Sequence, residues 1–116
     1  MKPRLLKENI YAVGAVDWDR RLFDSLIPLP DGTSYNSYLA KGSEKTALND
    51  AVDPSMRHVL LGNLDHLDCQ SIDYVIANHA EQDHSGAIPD VLARFPKAEV
   101  VCTPKCKGML TDLLLI

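Results

Sequence analysis

Apolar positions in the second half of the chain recur at helical spacing in three separate stripes. Met56, Val59, Leu60, Leu64 and Leu67 form the first. Asp53 then Pro54 precede it, a capping side chain followed by a residue suited to the first helical position, so a helix is expected to start there. Ile88, Val91, Leu92 and Phe95 share a second face. Ser85 is the expected cap of that helix, Pro89 is tolerable because it falls in the first turn, and Pro96 ends it. Cys106, Met109, Leu110, Leu113 and Leu114 make the third stripe, again after a cap-then-proline pair, Thr103-Pro104. Short apolar runs of strand length, 72–77 and 98–102, separate the stripes.

The first half reads differently. Residues 10–16 alternate weakly and are rich in Val, Ala and Tyr, which predicts a strand. Residues 34–41 predict another, with aromatic content. Gly42-Ser43-Glu44 is turn chemistry and Lys45 to Asn49 returns as a strand, so 34–49 is expected to be a hairpin. Asp17 to Asp31 has no regular period: Trp18 and Phe23 sit among charges, and Pro28 and Pro30 interrupt any element. The expected order is strand, hairpin, helix, strand, helix, strand, helix. Alternation of strand and helix in the later part implies parallel strands with right-handed crossovers, an α/β class.

Composition narrows the function classes. With 116 residues and 46% apolar content, the chain suffices for one globular domain and argues against disorder. Twelve basic and sixteen acidic residues give a net charge of −4, and no Lys/Arg block marks a nucleic-acid surface. The N-terminus, Met1 to Lys7, is basic but lacks the apolar core of a signal peptide, and the longest apolar run is far short of a membrane span. A cytoplasmic protein is expected, with no membrane and no nucleic acid among its partners. Cys69, Cys102 and Cys106 are odd in number, against a disulfide framework and consistent with a reducing compartment. The C-x-x-x-C spacing of the last two matches neither zinc nor thioredoxin motifs. All three are read as buried, inert thiols.

Candidate chemistry concentrates in Ile76-Ala77-Asn78-His79-Ala80-Glu81-Gln82-Asp83-His84-Ser85-Gly86. The stretch leaves a predicted buried strand and puts two imidazoles and two carboxylates within six residues. His79, Glu81 and Asp83 recur every second residue, so an extended loop would point all three the same way. His84 would follow on the opposite side, in reach of a second metal position. Imidazole mixed with hard oxygen donors suits a first-row transition metal, with iron or manganese favoured over an all-thiolate zinc site. The alternative is a polar loop that carries two histidines by chance. His58 and His66 fall off the 56–67 stripe and are read as surface residues.

The same residues resemble a known family. His79-x-Glu81-x-Asp83-His84, followed by Ser85-Gly86, is similar to the first metal-ligand motif of the flavodiiron proteins, A-type flavoproteins of the rubredoxin:oxygen oxidoreductase type. Ile10 to Asp19 and Gly32 to Leu39 resemble that family's N-terminal strands. The resemblance implies a metallo-β-lactamase-like domain holding two irons, then a flavodoxin-like domain with FMN. It implies reduction of dioxygen to water or nitric oxide to nitrous oxide, with electrons often supplied by rubredoxin. His79, Glu81, Asp83 and His84 would be iron ligands. Zinc hydrolases of the wider superfamily usually carry His where this chain has Glu81. Trp18 would lie near the metal site, or else pack on the sheet edge.

The rest of the family's cage lies downstream of the resembled motif. No histidine follows His84, Asp90 and Asp112 are the later aspartates, and the sequence stops at Ile116. The expectation is therefore residues 1–116 as a truncated metallo-β-lactamase-like domain, the flavodoxin-like domain absent and the di-iron site incomplete. The fold expected is about one half of an αββα sandwich, a mixed sheet with helices on one face. Such a chain would not be catalytically competent alone. A non-catalytic interaction module or complementing subunit is the alternative, and a hydrolase of the superfamily a weaker one. The uncovered sheet face predicts a homo-oligomer or a complementing chain.

Overall fold

Antiparallel strands build the first half and parallel strands the second, in a computed structural model that describes residues 2–20, 22–23 and 27–114. The strands are β1 (Arg4–Lys7), β2 (Ile10–Ala12), β3 (Ala15–Asp17), β4 (Leu22–Phe23), β5 (Ile27–Pro28), β6 (Thr33–Tyr35), β7 (Tyr38–Lys41), β8 (Thr46–Asn49), β9 (Tyr74–Ile76) and β10 (Glu99–Val101). The helices are α1 (Arg57–His66), α2 (Gln82–Ser85), α3 (Ile88–Arg94) and α4 (Pro104–Leu114). Six strands join in one mixed sheet, β1-β2-β7-β8-β9-β10, and β3/β6 and β4/β5 are separate two-stranded ribbons. β8, β9 and β10 run parallel, as the strand–helix alternation requires. The expectation for Phe23 concerns a side chain outside the described residues.

Tyr11, Leu39, Leu48, Val75 and Val100 lie opposite one another across consecutive strands and so share one face. That face is covered. Leu39, Leu48 and Val75 are fully buried in one cluster with Leu60 and Leu64 of α1, Ile88 and Val91 of α3, and Cys106 and Leu110 of α4. Each side chain of this size contributes about 1.5–3 kcal/mol on full burial. The opposite face carries Ile10, Ala40 and Val101, all exposed, beside half-buried Ala12, Tyr38, Ala47, Tyr74 and Ile76. The sheet is mixed, with helices on one face, as expected.

Two strands expected to be continuous are each broken. The run 10–16 divides into β2 and β3, and 34–41 into β6 and β7. The breaks face each other, and the N–H of Val13 donates to the Ser37 carbonyl at 2.9 Å. One antiparallel ribbon therefore turns a corner, leaving the main sheet as β2/β7 and continuing as β3/β6. Gly14 makes the corner possible: a Cβ there would lie 2.0 Å from the Tyr35 carbonyl oxygen. Buried Asn63 of α1 donates to the carbonyls of Val13 at 2.8 Å and Gly14 at 3.3 Å, satisfying groups the bend takes out of the ladder. Strand β1 was not expected from its basic sequence; it pairs with β2 through an irregular register between Leu5 and Lys7.

Asp53 caps as expected, its Oδ1 accepting from the N–H of Ser55 at 3.1 Å and from Ser55 Oγ at 2.8 Å. The first turn, Pro54–Met56, is a 3-10 helix that leads into α1. Ser85 does not cap α3. It is the last residue of α2, its Oγ donates to the Ala80 carbonyl at 2.8 Å, and Ala87 precedes α3 without a side-chain cap. The break between α2 and α3 falls where Gly86 meets Pro54: a Cβ on Gly86 would sit 2.4 Å from Pro54 Cδ.

Cys106 is buried, and Cys69 and Cys102 are half-buried; none is paired. Burial pushes the thiols of Cys69 and Cys106 up from their ordinary range. Among the described residues no helix is long and apolar enough to cross a membrane.

Candidate metal centre

Parallel pairing of β8 with β9 puts their C-terminal ends side by side, and the loop after each strand contributes to one site. Backbone hydrogen bonds lace the two loops together. Asp50 N–H donates to the Ile76 carbonyl at 2.8 Å, Ala51 N–H to the His84 carbonyl at 2.7 Å, and Ala87 N–H to the Val52 carbonyl at 3.0 Å. These bonds fix residues 50–52 against residues 84–87.

The motif loop bends at Asn78 and is still non-helical at Glu81, φ −59° and ψ 138°. From Gln82 it turns into α2, so the expected every-second-residue alternation does not continue through Asp83. The helical turn carries His84 back over His79. Their ring centroids are 4.3 Å apart at 64°. A carboxylate oxygen of Asp50 and one ring nitrogen of each histidine all lie within 4.8 Å of one another. Asp83 stands beside them, its Oδ2 3.4 Å from His84 Nε2. Glu81 is exposed at the start of α2, outside that close group; its carbonyl accepts from the N–H groups of His84 and Ser85.

Asp50 was not among the residues the sequence singled out. It is 8% exposed and has a left-handed backbone, φ 60°, a conformation for which Asp and Asn are favoured among non-glycine residues. Its Oδ1 accepts from the N–H of Asn78 at 2.9 Å and its Oδ2 from Asn78 Nδ2 at 3.0 Å. The signal available was positional: a carboxylate directly after the strand that pairs in parallel with the strand leading to His79. That pairing is a long-range fact.

The Nδ1 atoms of His79 and His84 are buried and have no hydrogen-bond partner. Each such group costs about 1–3 kcal/mol if nothing satisfies it. Two imidazoles with buried, unsatisfied edges, converging with carboxylates, make a donor set that fits a first-row transition metal. His58 and His66 are exposed and apart from this cluster, as expected.

A second polar network supports the loop after β8. Tyr35 donates its hydroxyl to Asp17 Oδ2 at 2.9 Å, and Asp17 Oδ1 accepts from the backbone of Asp19 and Arg20. Arg20 Nη1 lies 3.2 Å from Asp53 Oδ2. Burial first, then the hydrogen bond to the Asp17 carboxylate, pushes the Tyr35 hydroxyl above its ordinary pKa, so it stays a donor. The network connects the β3/β6 ribbon to the start of the 3-10 turn. Trp18 is 67% exposed.

No protein-family profile matches the chain. Individual relatives do. It is 42% identical over 100 residues to the anaerobic nitric oxide reductase flavorubredoxin of Vibrio vulnificus, covering 84% of this chain and 20% of the relative. It is 48% identical over 91 residues to the putative diflavin flavoprotein A 2 of a Synechocystis strain, covering 78% and 16%. Among solved structures, the flavodiiron protein of Giardia intestinalis superposes with a TM-score of 0.85 at 34% identity, over 97% of this chain and 27% of that one. A subclass B3 metallo-β-lactamase of Bradyrhizobium japonicum shares the fold, with a TM-score of 0.71 at 23% identity over 95% of this chain and 36% of that one. The chain spans about a fifth of the length of the flavorubredoxins it matches. It belongs to the flavodiiron proteins and corresponds to the N-terminal part of their metallo-β-lactamase-like domain.

Proposed function

We propose that this chain supplies one wall of a di-iron site in an oxidoreductase that reduces nitric oxide or dioxygen. His79, Glu81, Asp83 and His84 would be its metal ligands, and the remaining donors would come from outside the described residues. The observation that supports this is the convergence of two histidines with buried, partnerless Nδ1 atoms on neighbouring carboxylates. A bound iron pair would supply the Lewis-acid and redox chemistry. The chain's own residues hold the donors in place. The strand ends fix the loop, α2 returns His84 to His79, and Asp83 faces the Nε2 edge of His84.

Electrons would reach the site from FMN bound in a flavodoxin-like domain, replenished by a rubredoxin-type donor. Relatives named for nitric oxide reduction and for rubredoxin:oxygen oxidoreduction support the two candidate substrates. A cytoplasmic location agrees with three cysteines, none of them in a disulfide.

Anaerobic loading with ferrous iron, followed by metal analysis, tests the ligand assignment. This chain alone is expected to hold iron weakly, and Asp83→Ala or Glu81→Ala to abolish the uptake. Uptake unchanged by both substitutions would remove the motif from the site, and zinc uptake with esterase activity would point to a hydrolase instead.

The open sheet face bears on the same reading. Ile10 and Val101 lie exposed there at 37% and 46%, where burial of each would contribute about 1.5–3 kcal/mol. A complementing chain or a second copy would cover it. Sedimentation of the dilute chain is expected to give a dimer or larger species, and a well-folded monomer would contradict self-association.

A further inference from the structure

Two thiols that the candidate metal centre does not use lie together at the start of α4. Cys102 follows β10, and Cys106 stands in the first turn of the helix, with Thr103 and Pro104 between them. The Thr103 hydroxyl accepts from the N–H of Cys106 at 3.2 Å, the bond of a capping residue. A capped start brings the residue before the cap back over the first turn, as a hydrophobic staple does. Here that residue is Cys102, and its thiol is in hydrogen-bonding contact with that of Cys106. The C-x-x-x-C spacing, foreign to zinc and thioredoxin motifs, becomes a dithiol through the cap.

The two thiols differ in access. Cys106 is 6% exposed, and its Sγ donates to the Ala77 carbonyl at 3.9 Å. Burial first, then the neighbouring Cys102, pushes its thiol up. Cys102 is half-buried and lines a surface groove of about 600 Å³ with Leu92, Val100, Lys107 and Leu110. A small oxidant in that groove meets Cys102 first and has Cys106 behind it, the order of an attacking thiol and a resolving one. Cys69 is half-buried too, but its thiol donates to the Ser71 carbonyl at 3.5 Å, in the loop after α1.

We propose that Cys102 and Cys106 are a peroxide-reactive pair that closes to an intrachain disulfide. Cys102, as thiolate, attacks one oxygen of a hydroperoxide. The O–O bond breaks, the leaving oxygen takes up a proton and departs as water or an alcohol, and Cys102 becomes a sulfenic acid. The Cys106 sulfur then attacks the Cys102 sulfur. The S–O bond breaks, and hydroxide leaves with the Cys106 proton as water. The two thiols together give up two electrons, which reduce the hydroperoxide. Closure takes the Cys106 S–H away from the Ala77 carbonyl, at the base of the loop that carries His79. The pair stands independently of the metal-site reading.

The full chain, reduced and free of added metal, is exposed to hydrogen peroxide, then denatured and alkylated. Lys105 lies between the two cysteines, so trypsin separates them in the reduced chain, and a disulfide keeps residues 98–105 joined to 106–107. The joined peptide is expected after exposure, lighter by two hydrogens than a simple pair, with Cys69 still alkylated. Dithiothreitol is expected to release the two halves again. Cys102→Ser, at a half-buried position, is expected to keep its fold by circular dichroism and to leave Cys106 fully alkylated after the same exposure. Peptides that stay separate in the folded parent chain, a disulfide that includes Cys69, or oxidation of Cys106 undiminished in Cys102→Ser would overturn the pairing.

Discussion

Alanine in place of Gly14 is expected to lower the stability of the chain by about 3 kcal/mol or more, the upper end of overpacking costs. The new Cβ would meet the Tyr35 carbonyl oxygen at 2.0 Å and the Ser37 nitrogen at 2.9 Å. Both are backbone atoms, so no side-chain rotation relieves the clash. The ribbon has to open at its corner, at the expense of the Val13–Ser37 bond and the two bonds from Asn63. Against a net stability of roughly 5–15 kcal/mol, such a loss is large. Damage would spread toward the site, because the Ser37 hydroxyl donates to the Asp50 carbonyl at 2.8 Å. Gly62, in the middle of α1, is the internal control. No neighbour lies within 4 Å of a Cβ there, so Gly62→Ala is expected to stabilise by about 0.5–1 kcal/mol. Urea unfolding of the two variants reads both effects, and equal midpoints would contradict the corner's role.

Removal of the His84 ring is expected to have the larger effect on binding and a small one on folding. His84 holds the loops together through its backbone, which accepts from Ala51 N–H and survives a change to alanine. The ring itself brings a buried nitrogen with no partner, so its loss removes an unsatisfied group. Metal affinity should fall by more than the roughly 100-fold upper limit for loss of an outer-shell partner. A metal at 100 times its dissociation constant stabilises a folded chain by about 2.7 kcal/mol. His84→Ala should therefore lose the metal-induced rise in melting temperature while its metal-free melting temperature stays near that of the parent. A metal-induced shift that persists in this variant would exclude His84 from the site.

Much of the fold was legible because local pattern and long-range packing agree. The three stripes became α1, α3 and α4, and Leu60, Leu64, Ile88, Val91, Cys106 and Leu110 pack with Leu39, Leu48 and Val75, while Met109 and Leu113 of the third stripe stay exposed at 50% and 64%. The Asp53 cap and the parallel order of the later strands were legible for the same reason. The breaks at Val13-Gly14 and Asn36-Ser37 were not, because each depends on the other ribbon strand, and the first also on Asn63, fifty positions from Val13. Ser85 had the chemistry of a cap but lies inside α2, whose boundary is set by the packing of Gly86 on Pro54. Of the candidate site, His79, Glu81, Asp83 and His84 could be singled out because they are close in sequence, although Glu81 lies exposed outside the close group. Asp50 could not, since only the pairing of β8 with β9 brings it there.

The chain contains its own control for the metal centre. His79 and His84 lie in the cluster, and His58 and His66 lie exposed on α1. Long-range proton–nitrogen NMR spectra of the four imidazoles, recorded during an anaerobic titration with ferrous iron, separate a metal centre at the cluster from scattered binding. The signals of His79 and His84 are expected to broaden first and together while those of His58 and His66 keep their position and width. Four imidazoles that respond alike, or a response confined to His58 and His66, would contradict a centre at the cluster.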